Sequence, residues 1–274
     1  MKNSLFALAV MIAFECNAHT NWNGQYYSSH SEMQFLMAVE TMKQIDFPPQ
    51  AKILDVGSGN GRVTKQLATI APECQIIGLD RSSSMLEKAK EYASDQVSFI
   101  QGDATEIPFK EQFDRVVSFN CLHWVKEIDT ALQGIHDALV PGGKACILLA
   151  PVQARYPIHR IINSVAKQDR YHSHFGNVSN VFTLYTFAEW ANLIEEADMI
   201  PEKVQLLDCR LDYPNAKAFG DWLAGWVPRG TMTDSLYGEY IDDVVNAYVA
   251  AIPCEADGTV HLYIDELIIV ASKK

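Results

Sequence analysis

The sequence predicts an α/β fold built on a mostly parallel sheet. Three observations lead there. Between residues 51 and 151, short apolar runs alternate with segments of helical period, as expected of parallel strands joined by crossover helices. The runs are continuously apolar instead of alternating with polar residues, the mark of strands covered on both faces. The first run also breaks into glycines at alternate positions just where a helical period begins, which reads as strand, tight turn and helix start.

Taken in order, the apolar runs place strands at 53–56, 75–79, 97–101, 115–119 and 145–150. Helices are expected at 62–70, 83–93 and 128–139, the last closed by Pro141, Gly142 and Gly143. An insertion rich in aromatic residues and histidine fills 152–180. Beyond it come a helix at 187–197, a strand at 203–212, helices at 216–226 and 235–251, and a final strand at 261–272. No repeat or low-complexity linker interrupts the chain. Residues 21–274 therefore read as one domain whose cap is contributed by 21–50, 152–185 and 213–253.

Composition narrows the partners. The chain has 274 residues, 48% hydrophobic and 20% charged, with a net charge of −12. That balance excludes nucleic acid, whose phosphates call for clustered Lys and Arg. Six cysteines at 16, 74, 121, 146, 209 and 254 are scattered, with no C-x-x-C pair and no histidine spacing suited to zinc. Most of them read as buried thiols, with no metal site. At the start, Lys2, the apolar run 5–14 and the small residues near Ala18 resemble a secretory signal. This run is too short for a stable membrane span, and a helical extension or a misplaced start codon is the alternative reading.

In an open parallel sheet, ligands bind beyond the carboxyl ends of the strands. There the first strand leads into Gly57, Gly59 and Gly61, a G-x-G-x-G turn that lets a ligand approach the main chain. Arg62 stands where the dinucleotide fingerprint would have its third glycine. Asp80 follows the second strand about 20 residues on, where a carboxylate can accept from both ribose hydroxyls. Asp103, after the third strand, can accept from an adenine amino group, with Met85 and Ile107 as apolar contacts to the ring.

The motifs DVGSGNG at 55–61, GLD at 78–80, GDA at 102–104, FDRVVSFN at 113–120 and LVPGG at 139–143 together resemble class I S-adenosylmethionine-dependent methyltransferases. Within that class, QYYSSHSEMQ at 25–34, LHWV at 122–125 and YHSHF at 171–175 are similar to the juvenile hormone acid, trans-aconitate and malonyl-carrier-protein O-methyltransferases, which make methyl esters of carboxylic acids. The resemblance implies a Rossmann-like, seven-stranded sheet whose last strand inserts antiparallel beside the fifth. It implies S-adenosyl-L-methionine as cofactor, with Gly57, Gly59 and Gly61 near its methionine part and Asp55 organising that loop. Asp80, with its neighbour Arg81, would take the ribose, Asp103 and Ala104 the adenine, and Asn120 the amino acid end.

The implied substrate is a small or medium organic acid, free or bound to a carrier protein. A carboxylate is ionised near neutral pH and attacks a methyl group without a general base. Gln34 and Trp124, which match the family's signature residues and carry amide and indole donors, are the candidates for positioning it. His123 would serve as a base only for a hydroxyl or amine acceptor. Arg155 and Arg160 follow the fifth strand and could suit a second carboxylate, but plain surface charge is the preferred reading of both. His159, His172 and His174 read as solvated or pocket-lining, and Tyr26 and Tyr27 as part of a lid. A cofactor made in the cytoplasm argues for a cytoplasmic protein, with export the alternative if residues 1–18 act as a signal. Two other functions stay open at this point: methylation of nitrogen or a hydroxyl, and cofactor binding without catalysis.

Overall fold

The computed structural model describes residues 32–151, 157–176 and 185–274. Seven strands form one sheet in the order β3-β2-β1-β4-β5-β7-β6. In chain order the first elements are α1 (Glu32–Met42), β1 (Lys52–Val56), α2 (Arg62–Ile70), β2 (Gln75–Asp80), α3 (Ser83–Ala89), β3 (Val97–Gln101) and β4 (Phe113–Phe119). They are followed by α4 (Ile128–Ala138), β5 (Leu139–Leu149), α5 (Ile158–Ala166), α6 (Phe187–Glu196), β6 (Met199–Tyr213), α7 (Ala216–Ala224), α8 (Asp234–Ala251) and β7 (Val260–Lys273). Strands β1 to β5 run parallel, and β7 lies antiparallel between β5 and β6. The expected antiparallel last strand beside the fifth is thus observed.

Most boundaries fall within a residue or two of the expected ones, and the departures have local causes. The helix expected at 83–93 is an α-helix only to Ala89 and tightens into a 3-10 turn at Lys90–Tyr92. Ser82 caps its start by accepting the Met85 N–H at 3.3 Å. Pro141-Gly142-Gly143 does not close a helix. The chain enters β5 directly at Leu139, and the proline and glycines lie in an irregularity where the pairing with β4 jumps from Phe113·Leu139 to Arg115·Lys144. Two longer helices, α1 and α5, and the single helical turn Asp169–His172 had no counterpart among the expected elements. In α5, Ile158, Ile162, Val165 and Ala166 are all buried, a helical spacing hidden inside a stretch chosen for its aromatics and histidines.

Three apolar clusters hold the molecule together. One packs α4 and α6 on one face of the sheet through Ile135, Trp190 and Leu267. A second packs α1 and α2 on the other face through Met42, Leu67 and Ile268. The third joins α5, α7 and α8 to the far ends of β6 and β7 through Ile162, Phe219, Tyr248 and Ile264, and it contains much of the protein's aromatic surface. Cys74 and Cys146 are buried thiols, whereas Cys121, Cys209 and Cys254 are half-buried, so fewer cysteines are fully enclosed than expected. No helix among the described residues is long and apolar enough to cross a membrane.

Candidate functional site

The strand order reverses between β1 and β4, and in open sheets of this kind ligands bind at that reversal, beyond the carboxyl ends of the two strands. The glycine turn lies there. Gly57 adopts φ 81° and Gly59 φ 54°, both in the left-handed region. At Gly57 an added Cβ would fall 2.3 Å from Cys121 Sγ, so the turn is pressed against the segment that follows β4. At Gly59 nothing lies within 4 Å of that point. The main chain at Gly59 therefore faces open space, as close approach by a ligand requires.

Asp80 fastens the turn to β2. One carboxylate oxygen accepts the Gly59 N–H at 2.8 Å and the other accepts the Ser82 N–H at 2.8 Å. A carboxylate has about four acceptor positions, so capacity remains for two hydroxyls. Burial raises the Asp80 pKa above its ordinary value despite these two donors. Asp55 is buried at the end of β1 and accepts the Thr64 hydroxyl at 2.7 Å, tying β1 to α2. Burial pushes its pKa up to about 7, partly offset by the Thr64 hydrogen bond and reinforced by the charge on Asp80. Two carboxyls that resist ionisation side by side favour a ligand that brings positive charge. The Ser58 hydroxyl, also in the turn, is buried with no hydrogen-bond partner.

Asp103 folds back on its own loop, its Oδ1 accepting from the backbone and hydroxyl of Thr105 at 3.0 and 2.9 Å. Arg81 is exposed, with Nη1 3.8 Å from Asp103 Oδ2. Ala104 is buried in the first cluster. Met85 is buried on α3, and Ile107 is half-buried against the same cluster. After β4 the chain passes through Asn120 at φ 55°, an uncommon conformation for a residue with a side chain. Its N–H is held by Leu148 O at 2.8 Å. The Cys121 thiol behind it is pushed by burial to about 12 and so stays un-ionised.

Leu122–Trp124 forms a 3-10 turn. It carries the Trp124 ring against the third cluster and 5.1 Å, centroid to centroid, from the imidazole of His123. His123 accepts the Ala150 N–H on Nδ1 at 3.2 Å, which places the ring proton of the neutral form on Nε2. Burial, and then the nearby His159, lower its pKa to about 3. His159, on α5, is likewise lowered by burial to about 4 and meets Trp226 edge-on at 6.0 Å. Gln34 lies in the first turn of α1, and its Oε1 is buried without a partner. Its neighbour Phe35 stacks 3.9 Å beneath the Arg62 guanidinium at the start of α2, bringing α1 to the end of the glycine turn.

Arg160 is exposed on α5, and His174 pairs with the Thr231 hydroxyl at 3.0 Å. Arg155, Tyr26, Tyr27 and the leader-like segment 1–18 lie outside the described residues. The structure also exposes groups that the sequence reading passed over. Ser58 and Thr64 belong to the glycine turn and its anchor. In β7, Asp265 and Glu266 are both buried. Two adjacent carboxylates inside an apolar strand were the signal that could have found them, because a strand covered on both faces has no solvated side for either.

Residues 53–143 match the family described as "Methyltransferase domain". The chain is 26% identical over 262 residues to a trans-aconitate 2-methyltransferase of Variovorax paradoxus, covering 93% of this chain and 99% of that one. It is 27% identical over 214 residues to juvenile hormone acid O-methyltransferase of Drosophila melanogaster, covering 72% and 71%. Among solved structures, a phosphoethanolamine N-methyltransferase of Haemonchus contortus in complex with S-adenosyl-L-methionine superposes with a TM-score of 0.61 at 19% identity, over 93% of this chain and 58% of that one. Strand order, glycine turn and these likenesses agree: the chain is a class I S-adenosylmethionine-dependent methyltransferase.

Proposed function

We propose that the protein methylates the carboxylate of a small or medium organic acid, free or carried on a protein, to a methyl ester. The observation that carries this reading is the state of His123. A nitrogen or hydroxyl acceptor has a proton to lose, and His123 is the histidine next to Trp124. It is held neutral, its Nδ1 already accepts from Ala150, and its pKa lies near 3, so it is a poor base. A carboxylate acceptor needs no base. The trans-aconitate and juvenile hormone acid relatives, which are named for acids, support the same reading.

The residues present fit the cofactor. The open face at Gly59, the unpartnered Ser58 hydroxyl and the spare acceptor positions on Asp80 suit a ligand with hydroxyls that approaches the main chain. The reluctant carboxyls of Asp55 and Asp80 suit its positive charge. When bound, S-adenosylmethionine supplies an electrophilic methyl group on a sulfonium. Gly57, Gly59 and Gly61 line its methionine part, Asp55 orders the loop, Asp80 with Arg81 holds the ribose, Asp103 and Ala104 border the adenine, and Asn120 meets the amino acid end. Gln34 and Trp124 orient the acceptor, and such positioning alone can lower a barrier by roughly 7 kcal/mol or more. Of the expected cap, the described residues 157–176 and 213–253 would exclude water above them. We place the reaction in the cytoplasm, where the cofactor is made.

Purified protein incubated with methyl-labelled cofactor and a panel of fatty, isoprenoid and polycarboxylic acids should yield base-labile methyl esters. Label found only in base-stable products would overturn the reading. Asp80→Ala should weaken cofactor binding by about ten- to a hundredfold, the effect of removing a charged hydrogen-bond acceptor. Trp124→Ala should lower chiefly kcat. Equal loss of cofactor affinity in both, measured by calorimetry, would contradict that division of roles.

A further inference from the structure

Glu266 lies in the middle of β7 and is 4% exposed. Alternation along the strand puts it on the face of Ile264 and Ile268, the side covered by α1. Its Oε2 is buried and has no hydrogen-bond partner. The register Leu149·Leu267 sets Glu266 opposite Ala150, the residue that holds His123, just past the end of β5. Two strand spacings, about 10 Å, then separate it from the β4 end at Asn120.

Helix α1 brings a second such group to the same face of the sheet. Ala38 and Met42 share a cluster with Ile268 and Val270. Gln44, just after α1, is held by Lys203 of β6, which pairs with Val270, so α1 runs from that level toward the Glu266 end of β7, and Gln34 Oε1 in its first turn is also buried without a partner. A buried polar group left unpaired costs about 1–3 kcal/mol. Two of them toward the same end of the sheet as the candidate acceptor site suit a polar ligand that satisfies both.

We propose that Glu266, as an uncharged carboxylic acid, donates a hydrogen bond to one oxygen of the acceptor carboxylate and, with the Gln34 amide, selects acids as substrates. The proton stays on Glu266, and the second acceptor oxygen is left free to take the methyl group. The assignment rests on the acid reading above. Burial, then the charge on Asp265, holds the Glu266 carboxyl up at about 8, so it keeps its proton at neutral pH. The titratable groups around it are Asp265 on its own strand, Cys209 on β6, where Leu207 stands directly opposite, and the neutral His123 behind Ala150. The α1 residues on that side, Gln34, Ala38 and Met42, and Ala150 beyond β5 carry none.

Glu266→Gln preserves a donor that cannot ionise, whereas Glu266→Leu removes it. With the best acid of the panel, KM of the wild-type protein should rise as pH climbs through about 8, because a deprotonated Glu266 repels the acceptor. The glutamine variant should lose that rise. The leucine variant should raise KM about tenfold or more at every pH, with cofactor affinity unchanged by calorimetry. Infrared spectra at pH 7 should show a protonated carboxyl band that Glu266→Gln removes, a readout independent of turnover and of the leucine variant folding. An unchanged pH profile in Glu266→Gln, a wild-type KM in Glu266→Leu, or absence of the band would overturn the assignment. So would a glutamine variant that binds cofactor yet is inactive at all pH, since Glu266 would then act as an ionised base or as counter-ion to a cationic acceptor. If the wild-type protein esterifies no acid, the acid reading itself fails and takes this assignment with it. If it does and the variants behave as wild type, only the assignment falls.

Discussion

At the scale of single residues, the glycine turn does two jobs that mutation should separate. Gly57 is pressed against Cys121, and Gly59 faces open space. Alanine at either position meets left-handed backbone strain of about 1–2 kcal/mol, but only Gly57→Ala also drives a Cβ into a thiol. Gly57→Ala should therefore lose more than about 2 kcal/mol of stability, part of it restored by adding Cys121→Gly, which removes both the Sγ at 2.3 Å and the Cβ at 2.4 Å from the new methyl group. Gly59→Ala should lose about 1 kcal/mol while cofactor affinity falls, as read by thermal melting and calorimetry. Asp55 gives a pH-dependent counterpart. Its folded pKa, about 7, lies above its unfolded value of 3.8, so the folded state binds the extra proton. The contribution of Asp55 to stability is then largest below about pH 4 and falls as pH rises toward 7. Asp55→Asn removes that loss: it should raise stability at pH 8 by on the order of 2–4 kcal/mol, seen as a higher melting temperature, and have little effect at pH 4. A gain of equal size at both pH values would show that Asp55 ionises normally.

At the scale of elements, the ends of helices decide where side chains point. Helix α6 begins with a capping box: Thr186 Oγ1 accepts the Glu189 N–H at 3.3 Å, and Glu189 accepts the Thr186 N–H at 2.7 Å. Thr186→Ala should cost about 1 kcal/mol, measured by urea denaturation. Its effect on turnover should be small, because α6 lies on the sheet face opposite α1 and Gln34. The short turn Leu122–Trp124 matters more for chemistry. By bringing His123 under Ala150 it fixes the tautomer of that ring.

For the molecule as a whole, β7 is the shared structural member. Leu267, Ile269 and Ala271 enter the first cluster, Ile268 and Val270 the second, and Val260, Leu262 and Ile264 the third. Sheet and cap cannot lose their cores independently while one strand runs through all three. Equilibrium unfolding followed by tryptophan fluorescence, weighted to Trp222 and Trp226 in the cap, and by far-ultraviolet circular dichroism should give coincident transitions. Separated midpoints would show the cap melting first.

The sequence by itself determined the order and type of most elements in the β1–β5 half, the glycine turn and the positions of Asp55, Asp80 and Asp103. Those features are local: apolar runs, helical spacing and loop residues carry their meaning within a few neighbours. Helices α1 and α5 were hidden because their apolar spacing lies among residues that also read as cap or motif. Only the tertiary structure decided that α1, which carries Gln34, covers the sheet face on which Glu266 lies, 232 positions away in sequence. It alone decided that His123 is held neutral by Ala150, and that Gly57 is closed where Gly59 is open. Register across β5, β7 and β6 is a long-range property, and burial, which sets the charge of each carboxyl and imidazole here, exists only once the layers have packed.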